Sequence, residues 1–149
     1  MSIMYRVILV CLDGSPIAEK AFRVAVEEAK LHNAVLHAVY VIQAKSAPMT
    51  GNPTGMVSTD PNVLTNIYAA DGEKTLKRAK DLANGEGIDT ICHAVYGDPR
   101  REILNLSNEI NADLVVLGTK GKSNLEKLLI GSVSSAVVSH GNRTTLIVK

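Results

Sequence analysis

Aliphatic runs short enough to be buried strands alternate along this chain with segments whose apolar residues recur every three or four positions, and few folds accommodate that order. Tyr5 to Leu12 reads as a first strand, closed by Asp13-Gly14-Ser15-Pro16, in which Ser15 is a helix cap and Pro16 a first helical residue. The helix that follows buries Ala18, Ala21, Phe22, Ala25 and Ala29 and stops near His32-Asn33. Ala34 to Ile42 is the second strand, and Val63 to about Asn84 is a second helix, with Ile67, Ala70, Leu76, Ala79 and Ala83 along it. Thr90 to Tyr96 is the third strand. Gly97-Asp98-Pro99 repeats the start signal for a third helix, whose buried stripe is Ile103, Leu104, Leu106 and Ile110. Leu114 to Leu117, a last helix from Gly131-Ser132, and Thr144 to Val148 complete the series. Strand and helix in strict alternation imply right-handed crossovers, hence a doubly wound parallel sheet with helices on both faces.

The composition agrees with that class. Aromatic residues are 3% of the chain and Trp is absent, so the core is aliphatic, as parallel strands covered on both faces require. Its 149 residues suit a single domain over 1–149, within which Gln43 to Asn62, rich in Gly and Pro and without periodicity, is expected to be a flexible connection. Sixteen Lys and Arg balance 15 Asp and Glu, which leaves no field to recruit nucleic acid or an anionic membrane surface. No apolar run is long enough to span a membrane. Cys11 and Cys92 have neither metal-ligand nor CxxC spacing, and with no leader segment a cytoplasmic location is expected.

Candidate chemistry collects after the fourth strand. Gly118 and Gly121 are followed, nine residues later, by Gly131-Ser132 opening the last helix. Glycines allow main-chain N–H groups to approach a phosphate, and a helix start offers unpartnered N–H groups at the positive end of its dipole. Lys120, Lys122 and Lys127 could offset phosphate charge or lie solvated. A Walker loop and a dinucleotide fingerprint both require glycine at position 116, which is Val116. On spacing alone, a phosphate cradle and an ordinary glycine turn stand level. Asp13 reads either as a nucleotide or magnesium ligand or as a turn former, and His37 as a packed, hydrogen-bonded strand residue rather than a base.

Gly118-x-x-Gly121, nine residues, then Gly131-Ser132 resembles the nucleotide motif of the universal stress protein family. So do Val7-Ile8-Leu9-Val10 leading to Asp13-Gly14-Ser15, Leu36-His37, Gly97-Asp98-Pro99, and Ala112-Asp113 running into Leu114 to Gly118. The resemblance implies a Rossmann-like, adenine nucleotide alpha hydrolase-like fold: five parallel strands in the order 3-2-1-4-5, a homodimer often paired through the last strand, and ATP with magnesium as ligand. Phosphates would lie against Gly118, Gly121, Gly131, Ser132 and Val133, with Leu117, Thr119, Lys120, Lys122, Ser123, Asn124 and Ser134 completing the loop. Asp13 would approach the ribose or the metal, Ala38 and Val39 the adenine, and Cys11 and Leu12 the wall of the base pocket. The implied function is a stress-response regulator that binds ATP, at most a weak ATPase with no catalytic residue assigned, acting on an unidentified regulatory partner. A nucleotide-independent dimeric scaffold is the alternative. Thr144-Thr145 departs from the proline common in the family before the last strand.

Overall fold

The computed structural model describes residues 4–43, 61–119 and 131–149, and the side chains of 61–65 are outside that description. The elements are β1 (Val7–Leu12), α1 (Pro16–His32), β2 (Val35–Ile42), α2 (Pro61–Gly85), β3 (Thr90–Tyr96), α3 (Pro99–Glu109), β4 (Leu114–Gly118), α4 (Ser132–His140) and β5 (Thr144–Val148). All pairings are parallel and the sheet order is β3-β2-β1-β4-β5, as the resemblance implied. The connection expected over 43–62 falls mostly on 44–60, outside the described residues, and α2 begins two residues earlier than expected, at Pro61.

Side-chain alternation along β1 divides the core in two. Ile8, Val10 and Leu12 face the layer of α1 and α2, where Phe22, Ala25, Leu36, Ala38 and Val116 join them. Leu9 and Cys11 face the layer of α3 and α4, with Val39, Ile103, Leu106, Val115, Leu117 and Val137. β4 is buried on both sides from Leu114 to Leu117, which is why its sequence is an unbroken aliphatic run. Each fully buried aliphatic or aromatic side chain stabilises the fold by about 1.5–3 kcal/mol relative to exposure.

Local signals set the helix ends. The Ser15 hydroxyl accepts from the Ala18 N–H at 3.2 Å and Pro16 opens α1. Asn33 ends that helix in the left-handed region, φ 52°. The Asp98 carboxylate accepts from the Arg100 N–H at 2.9 Å, and Pro99 opens α3. Asp113 joins the starts of two central strands, since its Oδ2 accepts from the N–H groups of Arg6 and Val7, each at 2.9 Å.

The buried face of α2 differs from the expected one. Leu76, Ala79 and Ala83 are buried, but Ile67 is 51% exposed and Ala70 faces solvent. The true stripe runs through Gly72, where a Cβ would stand 2.7 Å from Tyr40 Cδ1. The helix therefore approaches β2 closely at a residue with no side chain to register in hydrophobic periodicity.

Candidate functional site

From β1 the chain winds through β2 and β3 to one side, and β4 and β5 lie on the other, so strand order reverses between β1 and β4. Ligands of open parallel sheets sit outside the carboxyl ends of the strands at such a point. The structure brings Asp13, Gly118, Thr119, Gly131, Ser132, Val133 and Ser134 to this end of the sheet. Asp13 follows β1 and Gly118 ends β4. Thr119 then donates its N–H to Val148 O at 2.9 Å, while Gly131 donates to Thr119 O at 2.5 Å and returns the chain to the same place.

Beside these residues an open crevice of about 550 Å³ is lined by Gln43, Gly97, Asp98, Pro99, Arg100, Ser132 and Val133. A void of that size lies within the range that holds small-molecule ligands. Another cavity among the described residues, between α1 and α2 beneath Leu12 and Phe22, measures about 90 Å³ and is too small for a nucleotide. Gln43, Gly97 and Arg100 were not among the sequence candidates, and Asp98 and Pro99 figured only as a helix start. Their signal was the Gly97-Asp98-Pro99 motif, because a helix start following a strand of this sheet stands at its ligand end.

Gly131 caps α4 with no side-chain hydrogen bond, whereas Ser15 and Asp98 each place an oxygen on a first-turn amide of α1 and α3. Its backbone, φ −61° and ψ 162°, is open to any residue. Among the described main-chain bonds, Ser135 N–H is the first α4 amide paired, to Gly131 O at 2.9 Å. Ser132 is exposed and Val133 half-buried. Ser134 is turned inward, and its hydroxyl donates to Gly118 O at 2.5 Å, tying the first turn of α4 to the end of β4. Gly118 has a packing role of its own, since a Cβ there would stand 2.9 Å from Ile17 Cγ2. Lys120, Gly121, Lys122, Ser123 and Asn124 lie outside the described residues.

Asp13 forms an Asx turn in which its Oδ1 accepts from the Ser15 N–H at 2.8 Å, so one carboxylate oxygen serves the loop. Among the described residues no three His, Cys, Asp or Glu side chains cluster to hold a metal. Magnesium does not require such a cluster, because it keeps several waters and binds through one or two carboxylates with substrate phosphates. Leu12 packs toward α1 and α2, and Leu117 is buried against α3 and α4. Cys11 faces the α3 and α4 layer, and burial, reinforced by Asp13, pushes its thiol up to about 12.

Ala38 and Val39 are placed away from this cluster. Ala38 pairs with Val10 on one side and Cys92 on the other, and Val10 in turn pairs with Val116. Leu12 at the strand end is level with Tyr40, so Ala38 lies two residues, about 7 Å, inside the sheet. Ala38 and Val39 are 0% and 1% exposed in a strand flanked on both sides, whose main-chain groups serve the ladders. Of the chain at the carboxyl end of β2, Gln43 lines the crevice.

His37 is hydrogen-bonded, as expected, though to a partner the sequence reading passed over. Its Nδ1 lies 2.9 Å from Nε2 of His93 on β3. The ring centres are 5.1 Å apart and the planes 14° apart, so with nitrogens this close the rings meet edge to edge and nearly coplanar. One nitrogen donates and the other accepts, so the bonded pair carries at most one proton between these two atoms. Burial lowers both imidazoles; the neighbouring His93 lowers His37 further, whereas Glu109 partly restores His93. Cys11 and Cys92 flank β2 and face opposite layers of the core, which rules out a disulfide between them.

Residues 4–149 match the profile described as the Universal stress protein family. The chain is 30% identical over 146 residues to the universal stress protein MJ0531 of Methanocaldococcus jannaschii, covering 98% of this chain and 83% of that protein. Universal stress protein UspA from Lactobacillus plantarum superposes with a TM-score of 0.85 at 25% identity, over 99% of this chain and 100% of that one. A universal stress protein solved in complex with cAMP superposes with a TM-score of 0.69 at 28% identity, over 97% of each chain. Sheet order, crevice and these likenesses agree, and the chain belongs to the universal stress protein family.

Proposed function

We propose that this protein is an adenine-nucleotide-binding regulator of a stress response, with ATP and magnesium as its ligand and a single domain over 1–149. The observation that carries this reading is the crevice beside the α4 N-terminus, where Gly131 leaves first-turn amides without a side-chain cap. Such amides, at the positive end of a helix dipole, suit a phosphate. The relative solved with cAMP adds support, since that ligand joins adenine to a phosphate.

In this reading the phosphates lie against Gly118, Gly131, Ser132 and Val133, together with the loop residues Gly121 and Lys120 to Asn124. Asp13 would hold the magnesium that accompanies the phosphates. The base lies along β2, against Ala38 and Val39, with Cys11 forming part of the apolar wall. In this reading turnover is at most slow hydrolysis. β5 is an edge strand of the sheet, which supports a homodimer formed through it. Bound ATP would bias the dimer or its choice of partner.

Calorimetry with ATP and magnesium tests the reading. Saturable binding with one nucleotide per chain is expected, and absence of heat from folded protein would refute it. Gly118→Val is a poor control, because it disturbs Ile17 whether or not a ligand binds.

A further inference from the structure

The crevice contains a guanidinium that the sequence reading did not anticipate. Arg100, the second residue of α3, lines it beside Gly97 and shares it with Ser132 and Val133 of α4. It is the one cation, and Asp98 the one anion, among the described lining residues. The two meet fork to fork: Arg100 Nε donates to Asp98 Oδ1 at 3.2 Å and Nη2 to Oδ2 at 2.9 Å. Oδ1 also accepts from the Arg100 main-chain N–H at 2.9 Å, as the cap of α3.

This arrangement occupies two of the five guanidinium donors, and Nη1 has no partner among the described residues. The side chain of Arg100 is 57% exposed, so its free edge is accessible. A planar fork with vacant donors suits a phosphate oxygen, and its charge assists the bond. Asp98 has two opposing effects. It holds the guanidinium still, which lowers the entropy lost on binding, and it cancels the charge that an anion would feel.

We propose that Arg100 receives the terminal phosphates of the bound nucleotide, and that Asp98 sets how strongly the crevice prefers a polyphosphate to an uncharged nucleoside. This inference rests on the nucleotide-binding reading and names a determinant of specificity within it. The dominant effect of Asp98 is damping, because opposite charges in contact lower the field at a third charge more than pinning one side chain raises its availability.

Calorimetry with ATP, ADP, AMP and adenosine, each with magnesium, on wild type, Arg100→Gln and Asp98→Asn provides the test. Asn caps a helix as well as Asp, so the second variant keeps α3 while removing the charge. Arg100→Gln should weaken ATP by about tenfold or more, the effect of a bond to a charged group, and leave adenosine unchanged. Asp98→Asn should tighten ATP and leave adenosine unchanged. Equal effects of Arg100→Gln on ATP and adenosine, or weaker ATP binding by Asp98→Asn, would overturn the inference while the nucleotide reading stood. If wild type bound none of the four, both would fall together.

Discussion

Gly131→Asp should move stability and nucleotide affinity in opposite directions. Gly131 caps α4 at φ −61° and ψ 162°, close to Ser15 at φ −77° and ψ 155° and Asp98 at φ −84° and ψ 122°. An aspartate therefore fits the backbone without strain, and its carboxylate accepts from the N–H of Val133 or Ser134. Asp in place of Gly gains a few tenths of a kcal/mol as a cap, and its charge at the helix start adds roughly 0.3–1 kcal/mol. For a chain of this size the melting temperature should rise by about 1–4 °C. The same carboxylate takes the amides assigned to phosphate and sets a negative charge about 5 Å from it. At an effective dielectric of about 20 that repulsion is about 3 kcal/mol, and salt screening leaves about 1–2 kcal/mol, or roughly tenfold in affinity. Circular dichroism melting and ATP calorimetry on the same preparation measure both effects. A variant with a raised melting temperature and unchanged ATP affinity would refute the assignment of these amides.

Other predictions concern the surrounding fold. Gly72→Ala gains about 1 kcal/mol of helix propensity, but its methyl meets the buried Tyr40 ring at 2.7 Å, and overpacking costs about 1–3 kcal/mol; a lower melting temperature is expected, and a higher one would contradict the close approach of α2. His37 and His93 both have lowered pKa values in the folded state, so the unfolded chain binds more protons below the ordinary histidine value of about 6.5. Stability should therefore fall as pH drops through that value toward the folded pKa values, and His93→Gln should flatten the slope in denaturant titrations between about pH 7 and 5; an unchanged slope would count against the pair. Cys11, with its thiol at about 12, should resist iodoacetamide at neutral pH in the native protein and react once it is unfolded, as read by mass spectrometry.

Strands and capped helices were legible because their signals are local. Ser15-Pro16 and Asp98-Pro99 open helices where the sequence said they would, and Leu114 to Leu117 is buried on both faces as its composition demanded. What escaped depends on residues far apart in the chain. The face of α2 is set by Gly72 against Tyr40, a contact with no hydrophobic side chain to mark it on the helix. His37 gained His93 as a partner only through strand order and register. Arg100 read as an ordinary helix-surface cation until the sheet placed α3 and α4 side by side at one crevice. Ala38, the base position that the likeness of Leu36-His37 implies, is set by pairing with β1 two residues inside the strand end, while Gln43 lines the crevice beyond it. Gly118 had two explanations in sequence, and contact with Ile17 gives it a packing role that stands whether or not a phosphate binds.

Backbone amide NMR during an ATP and magnesium titration tests the central claim most directly, because it observes the groups assigned to the ligand. The account predicts saturable shifts that are largest at the N–H of Ser132, Val133 and Ser134, accompanied by movement at the Arg100 Nε–H. Binding that left those amides unmoved, with shifts confined to another part of the sheet, would contradict it.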